Sequence, residues 1–239
     1  MNPDFMKIFS FFLIFFLQFS IVAQTPEILT KKALKKMNLM EWEDAEILFQ
    51  RAIDLDPNYP KSYYNKACLL AIRLKENFCE YKDRLPEIYE LLHSSIKLEK
   101  SYKEKILQDP DLDVLQSYYR FYEILQFNPR KTKDLSFILT RVKWYTPSQG
   151  IFGPESGIDF QSSGKVAYWY LDPERLPYGE AKRKYIFGKY FLRGNRIVLR
   201  FEKKIPGGRR DYYGELKNNK LFFPGFEKEF SDDADPCSA

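Results

Sequence analysis

The chain has 239 residues, of which 44% are hydrophobic and 30% charged, with a formal net charge of +5. This is the composition of a globular protein rather than a low-complexity chain, long enough for one large or two small domains. The charge is uneven: Lys and Arg outnumber Asp and Glu from Asn128 onward, while the first half is slightly acidic. A basic body of this kind favours anionic partners, although a solvated sheet face accounts for the same charges.

Residues 1–23 come first. Lys7 precedes a nearly unbroken apolar run from Ile8 to Ala23, and polar sequence follows. This is the layout of a secretory signal peptide, with Ala23 as the last residue before the cut. The other reading is an uncleaved anchor, but a run of about 16 residues falls short of the roughly 20 that span a bilayer. The protein is therefore expected to be exported, periplasmic or secreted, with no stable membrane span after cleavage. Export bears on the three cysteines, an odd number. Cys68 and Cys79 are close enough in sequence to pair, but the favoured reading makes Cys68 a small buried apolar residue. Cys237 is expected to be exposed in an acidic tail.

From Pro26 the apolar spacing is helical. Leu29, Ala33, Met37 and Met40 share one face of a first helix. After a short link, Ala45, Phe49 and Ala52 stand at i, i+4 and i+7 of a second. Pro57 ends it, because proline cannot continue the hydrogen-bond ladder and restricts Asp56 before it. The two helices are expected to form an antiparallel hairpin. Tyr63, Ala67 and Leu70 then repeat the first-helix pattern. "EIYELLHSSIKLEKSY" repeats the second, with Ile88, Leu92, Ser95 and Tyr102 in the corresponding places after an insertion around Lys75–Arg84. A degenerate third piece follows, in which Asp109-Pro110 breaks a helix and Phe121 and Leu125 pack back.

Ala33, Trp42, Ala45, Phe49, Ala52 and Pro57, with Tyr63, Ala67 and Leu70 in phase behind them, resemble the tetratricopeptide repeat. The resemblance covers about residues 26–127. It implies stacked helix pairs that hold a protein or peptide partner. Lys32 and Lys36 depart from the pattern, where large apolar residues are usual. A subset of such repeats clamps a terminal carboxylate with Lys and Asn; Thr30 and Leu34 occupy clamp positions here and only Asn65 fits, so Asn65 is the one candidate partner-facing residue.

After Leu135 the period becomes two. "GIDFQSSGKVAYWYL", "GKYFLRGNRIVLRFEKK" and "YYGELKNNKLFF" each read as a hairpin, with turns at Ser162–Gly164, Arg193–Asn195 and Asn218-Asn219. Gly157, Gly188 and Gly214 are expected to begin strands. "SFILTRVKWY" and a short segment near Phe152 are read as further strands, for six to eight in all, closed into a small barrel. The rhythm resembles small lipocalin-like barrels of exported bacterial proteins, which implies a small apolar, lipid-like ligand inside. The plainer reading is that Trp169, Tyr185, Phe187, Phe191, Phe201 and Tyr212 fill the interior.

The expected class is thus α+β: a signal peptide over 1–23, a helical domain over 24–127, an antiparallel β domain over 128–230 and a flexible acidic tail over 231–239. No catalytic constellation is found, so no enzyme, metal or cofactor is expected. The lone His93 reads as a surface residue. "GPESG" lacks the spacing of a nucleophile elbow and "SSGK" the preceding Gly of a phosphate loop. "AKRKYIFGKYFLR" mixes cations with aromatics as nucleic-acid platforms do, but alternation is expected to turn the aromatics inward, so no nucleic acid is expected. The two functions carried forward are an exported interaction scaffold and, as the alternative, a barrel that binds an apolar ligand with the repeats as its adaptor.

Overall fold

The computed structural model describes residues 24–146, 155–171, 182–226, 228–232 and 237. The signal-peptide expectation and the short strand expected near Phe152 lie outside them. The fold is α+β, as expected. The described residues divide into two compact units, with the boundary between Asn65 and Lys66.

In the first unit, α1 (Pro26–Asn38) and α2 (Trp42–Leu55) pack as a pair. Thr25 starts α1 by accepting a hydrogen bond from the Ile28 amide, and Pro26 fills a first-turn position where a missing N–H costs nothing. Ala33, Ala45, Phe49 and Ala52 are fully buried between the helices. The small residues permit close approach and Phe49 fills the remaining space. The link turns at Met40, whose φ is +58°. The unexpected Lys36 is also accounted for, since its ammonium bonds the carboxylates of Glu41 and Asp44 across the link. Pro57 stops the chain, and Tyr63 donates its hydroxyl to the Pro57 carbonyl at 3.1 Å. Trp42 is half-buried.

Helix α3 (Pro60–Glu76) runs across the division. The second unit continues with α4 (Phe78–Tyr81), a 3₁₀ turn, α5 (Leu85–Leu98), α6 (Tyr102–Gln108), a second 3₁₀ segment, α7 (Tyr119–Ile124) and α8 (Thr132–Leu139). The insertion around Lys75–Arg84 is therefore α4 and the turn after it. Ala67, Leu70, Ile88, Leu92 and Ser95 are buried as the second repeat predicts, as are Phe121 and Leu125. His93 is exposed. Lys66, almost wholly buried, is held by the Glu87 carboxylate at 2.8 Å, and Arg84 joins from the other side at 2.6 Å. Burial opposes the charge on Glu87, but the hydrogen bonds from Arg84 and Lys66 outweigh it and hold the carboxyl below its usual value of 4.5.

Seven strands follow in one antiparallel sheet of sequential order: β1 (Trp144–Tyr145), β2 (Ser156–Phe160), β3 (Lys165–Leu171), β4 (Arg183–Arg193), β5 (Arg196–Phe201), β6 (Asp211–Lys217) and β7 (Lys220–Phe222). The three expected hairpins are all present. Asn218 and Asn219 both have positive φ, as a type I′ turn requires, and Gly194 does so at the β4–β5 turn. The sheet curls into a barrel. Phe230 pairs with Leu221 of β7, and the next residue, Ser231, pairs with Tyr145 of β1, so two residues carry the ladder from the last strand back to the first. Trp144, Phe201, Tyr212, Phe223 and Phe230 are fully buried.

Four expectations are corrected. The segment expected as a strand from Ser136 to Tyr145 is mostly the end of α8, and only Trp144–Tyr145 is extended. Leu135, Ile138 and Leu139 bury one helical face there, a spacing that a short apolar run cannot distinguish from a strand. Gly188 and Gly214 lie inside β4 and β6 rather than at their starts. A Cβ on Gly188 would stand 2.4 Å from the Arg200 carbonyl oxygen, and one on Gly214 would meet the Phe223 ring at 2.2 Å. Both glycines mark close approach, not strand entry. Tyr185, Phe187 and Phe191 point outward, because Ile186, Gly188 and Tyr190 take the inner parity of β4. The tail, finally, is built in at both of its described parts. Ser231 is buried, Asp232 accepts a hydrogen bond from the Tyr119 amide at 2.5 Å, and Cys237 is disulfide-bonded to Cys79. Cys68 is the buried free thiol.

Candidate functional site

Three places in the structure combine accessible surface with a chemical bias. The first is on the helix pair. The inner face of α2 is spent on Ala45, Phe49 and Ala52, but Ile47, Arg51 and Leu55 stand at i, i+4 and i+8 on another face. Ile47 is 57% exposed and Leu55 52%. Arg51 between them reaches the Gln24 side chain at 3.1 Å. At the link, Leu39 and Met40 are exposed too. Isolated exposed apolar residues are ordinary; Ile47 and Leu55 share one face of α2, whereas Leu39 and Met40 lie at the link.

The clamp positions behave differently. Thr30 is buried and shares a 2.8 Å hydrogen bond with the Ser62 hydroxyl, so it serves the interior. Asn65 is also buried, and its Nδ2 has no hydrogen-bond partner among the described residues. A buried amide nitrogen without an acceptor is uncommon, and here it lies inside the helix packing rather than on a partner-facing surface. Asn65 was legible in the sequence as a candidate. The apolar row on α2 was not, because the repeat signature marks only the packing positions.

The second place is one end of the barrel. A cavity of about 440 Å³ opens there among Tyr168, Tyr170, Ile205 and Phe226. The Tyr168 and Tyr170 rings lie nearly parallel with centroids 5.9 Å apart, and Phe226 meets Tyr168 edge-on. Thr146 and Ser156 exchange a hydroxyl hydrogen bond on its wall, and Lys228 pairs with Glu155 at the rim. Its lining mixes these aromatic rings with hydroxyl, charged and glycine backbone groups, and concave sites that combine apolar walls with placed polar groups can hold small molecules. The third place is the outer face of β4, where Phe187 and Lys189 line a cleft with Arg200 and Arg210.

One cluster has metal-ligating chemistry. Cys68, Asp109 and Asp111 bring a thiol and two carboxylates within 4.8 Å of one another. Two of the three already have structural work. Asp109 caps the following 3₁₀ segment by accepting from the Asp111 amide at 2.9 Å, and the Cys68 thiol points at Asp109. Burial pushes the thiol far above its ordinary pKa, which keeps it protonated and unreactive. Burial, then the neighbouring Asp109, likewise raises Asp111.

A tetratricopeptide-repeat family model matches residues 48–78, from the second half of α2 through α3 into α4. It takes in Phe49, Ala52, Pro57, Tyr63, Ala67 and Leu70, so this part of the chain is a tetratricopeptide-repeat segment. No curated protein and no solved structure matches the chain.

Proposed function

We propose that the protein is an exported interaction scaffold with no catalytic activity of its own, which holds a protein or peptide partner through its helical repeats. The observation that carries this reading is the repeat segment at residues 48–78. Repeats of this kind bury their signature residues in packing and leave the remaining helix faces for partners. The exposed Ile47 and Leu55 supply apolar anchors on such a face. The apolar segment before Gln24 is the ground for export. No helix among the described residues is long and apolar enough to cross a membrane.

The test uses the full chain in cells. A photo-crosslinking residue placed at Ile47 is expected to trap a discrete partner, and Ile47→Glu with Leu55→Glu to abolish the same adduct made from a probe at Arg51. Adducts that survive the double substitution would reject the α2 surface. Fractionation with N-terminal sequencing is expected to recover a mature chain that begins at Gln24 outside the cytoplasm. An intact cytoplasmic chain would reject export.

A second reading has its own observation. The cavity at the barrel end suits a small, largely apolar ligand laid against Tyr168, Tyr170 and Phe226. Native mass spectrometry of the purified chain is expected to show a retained mass that Tyr168→Ala and Phe226→Ala release. A ligand-free spectrum under gentle conditions, with no mass gained from added fatty acid, would remove this reading.

A further inference from the structure

Strand β4 carries Tyr185, Phe187, Lys189, Phe191 and Arg193 on its outer side, with successive side chains about 6.6–6.8 Å apart. Phe187 is 54% exposed and Phe191 49%. Across the sheet, Phe191 stands opposite Val198, and Val198 opposite Tyr213, which is 61% exposed. The next row is cationic: Lys165 faces Lys189 directly, and Lys189 faces Arg200. Like charges placed directly opposite each other on a sheet are destabilising. Among the described residues, Asp211 pairs with Arg200 at 3.3 Å, and no carboxylate pairs with Lys165 or Lys189. Beside this row a cleft of about 470 Å³ lies between Phe187 and Arg210, with Glu202 its one carboxylate.

Phenylalanine rings have no polar tip, so water gives them nothing in return for exposure. A row of bare rings beside a row in which three cations face a single carboxylate matches one environment on both counts, the boundary where acyl chains meet anionic headgroups. The rings enter the apolar side, the Lys and Arg stems lie along it, and their charges stay at headgroup level. We propose that the outer face of β4, extended by Lys165, Arg200 and Tyr213, docks the protein peripherally on an anionic lipid surface, with a headgroup phosphate seated in the cleft beside Lys189. This goes beyond the scaffold reading and does not depend on it. The convexity of a closed sheet supports lipid over a folded protein partner, because a fluid bilayer accepts a ridge of rings without a matching groove.

The experiment is sedimentation of the full chain with phosphatidylcholine vesicles, with and without phosphatidylglycerol, at low and high salt. Because residues 1–23 are apolar, every comparison is made between the native chain and surface variants that share them. Lys189→Glu with Arg200→Glu is expected to weaken binding to the anionic vesicles by more than tenfold, at roughly fivefold per removed cation. Phe187→Ser with Phe191→Ser is expected to weaken it as strongly at high salt, where charge attraction is screened. Unchanged urea midpoints establish that both variants fold. Equal binding of native chain and variants to anionic vesicles overturns the proposal, as does a loss in Lys189→Glu with Arg200→Glu that is the same on neutral and anionic vesicles. Displacement from vesicles by a single-stranded oligonucleotide or by glycerol phosphate overturns it too, by assigning the same cations to a soluble anion.

Discussion

The helix pair and the barrel solve the problem of burying apolar surface in opposite ways. In the first unit the partners are neighbours in sequence: Ala33, Ala45, Phe49 and Ala52 meet across a three-residue link. In the barrel the first strand is completed by a residue from far downstream, Ser231 against Tyr145. Local packing of the first kind leaves a periodic signature that a family model can find. Closure of the second kind rests on one pairing at a distance and leaves almost none.

The comparison predicts where damage should spread. Phe230→Ala is expected to cost about 3–5 kcal/mol in urea unfolding, and Phe49→Ala a similar amount. The two should differ in hydrogen exchange. Phe230→Ala should expose the Tyr145 and Leu221 amides, which bond across the closure, while Phe49→Ala should leave them protected. If Phe230→Ala spared both amides, the closure would be decorative and the contrast would collapse.

The next largest effect belongs to the link between tail and helices. Cys79→Ser is expected to lower stability by about 2–4 kcal/mol under oxidising conditions and by nothing under reducing ones, since the bond spans 158 residues of sequence. Equal urea midpoints in both conditions would show that the tail is held by Ser231 and Asp232 alone.

Glu87→Gln sharpens the helical side. Lys66 would remain buried without its counter-charge, at a cost of about 1–3 kcal/mol, between surface and fully buried ion pairs. Because the folded pKa of Glu87 is depressed, this stabilisation is complete above the usual value of 4.5 and disappears as pH falls through the folded value. The native chain and the variant should therefore converge in acid. Parallel pH profiles would assign the cost to packing instead. The smallest effect is expected from Thr30→Val, which leaves the Ser62 hydroxyl buried and alone, for about 1 kcal/mol by thermal unfolding.

Much of this architecture is legible in the sequence, and the failures share a cause. Helical spacing located Phe49 and the turn residues located all three hairpins, since both are local signals. The facing of β4 was not legible: Tyr185, Phe187 and Phe191 compete with Ile186, Tyr190 and Leu192, so both parities are apolar and alternation reveals a strand without revealing its inside. The helix at Leu135 was hidden by the same ambiguity in a short apolar run. Just before the tail, Phe230 stands among charged residues, and its partner Leu221 could not be inferred from spacing. The Cys79–Cys237 bond likewise joins two positions that no periodicity connects. Of the candidate sites, Asn65 followed from the repeat pattern, while the α2 row and the barrel-end cavity required the three-dimensional arrangement.

The closure has a consequence for how the molecule is made. β1 gains its β2 neighbour soon after it emerges, but its other edge waits until every strand through β7 and the bridging pair at Phe230 has been synthesised. During that interval the chain carries a nascent sheet with two open rims, the arrangement most prone to pair with other chains. Loop closure over such a separation is slow relative to helix pairing. A purified chain should therefore refold in two stages, with the helical signal recovering first. Its yield should fall with concentration only while the seam between β1 and β7 stands open.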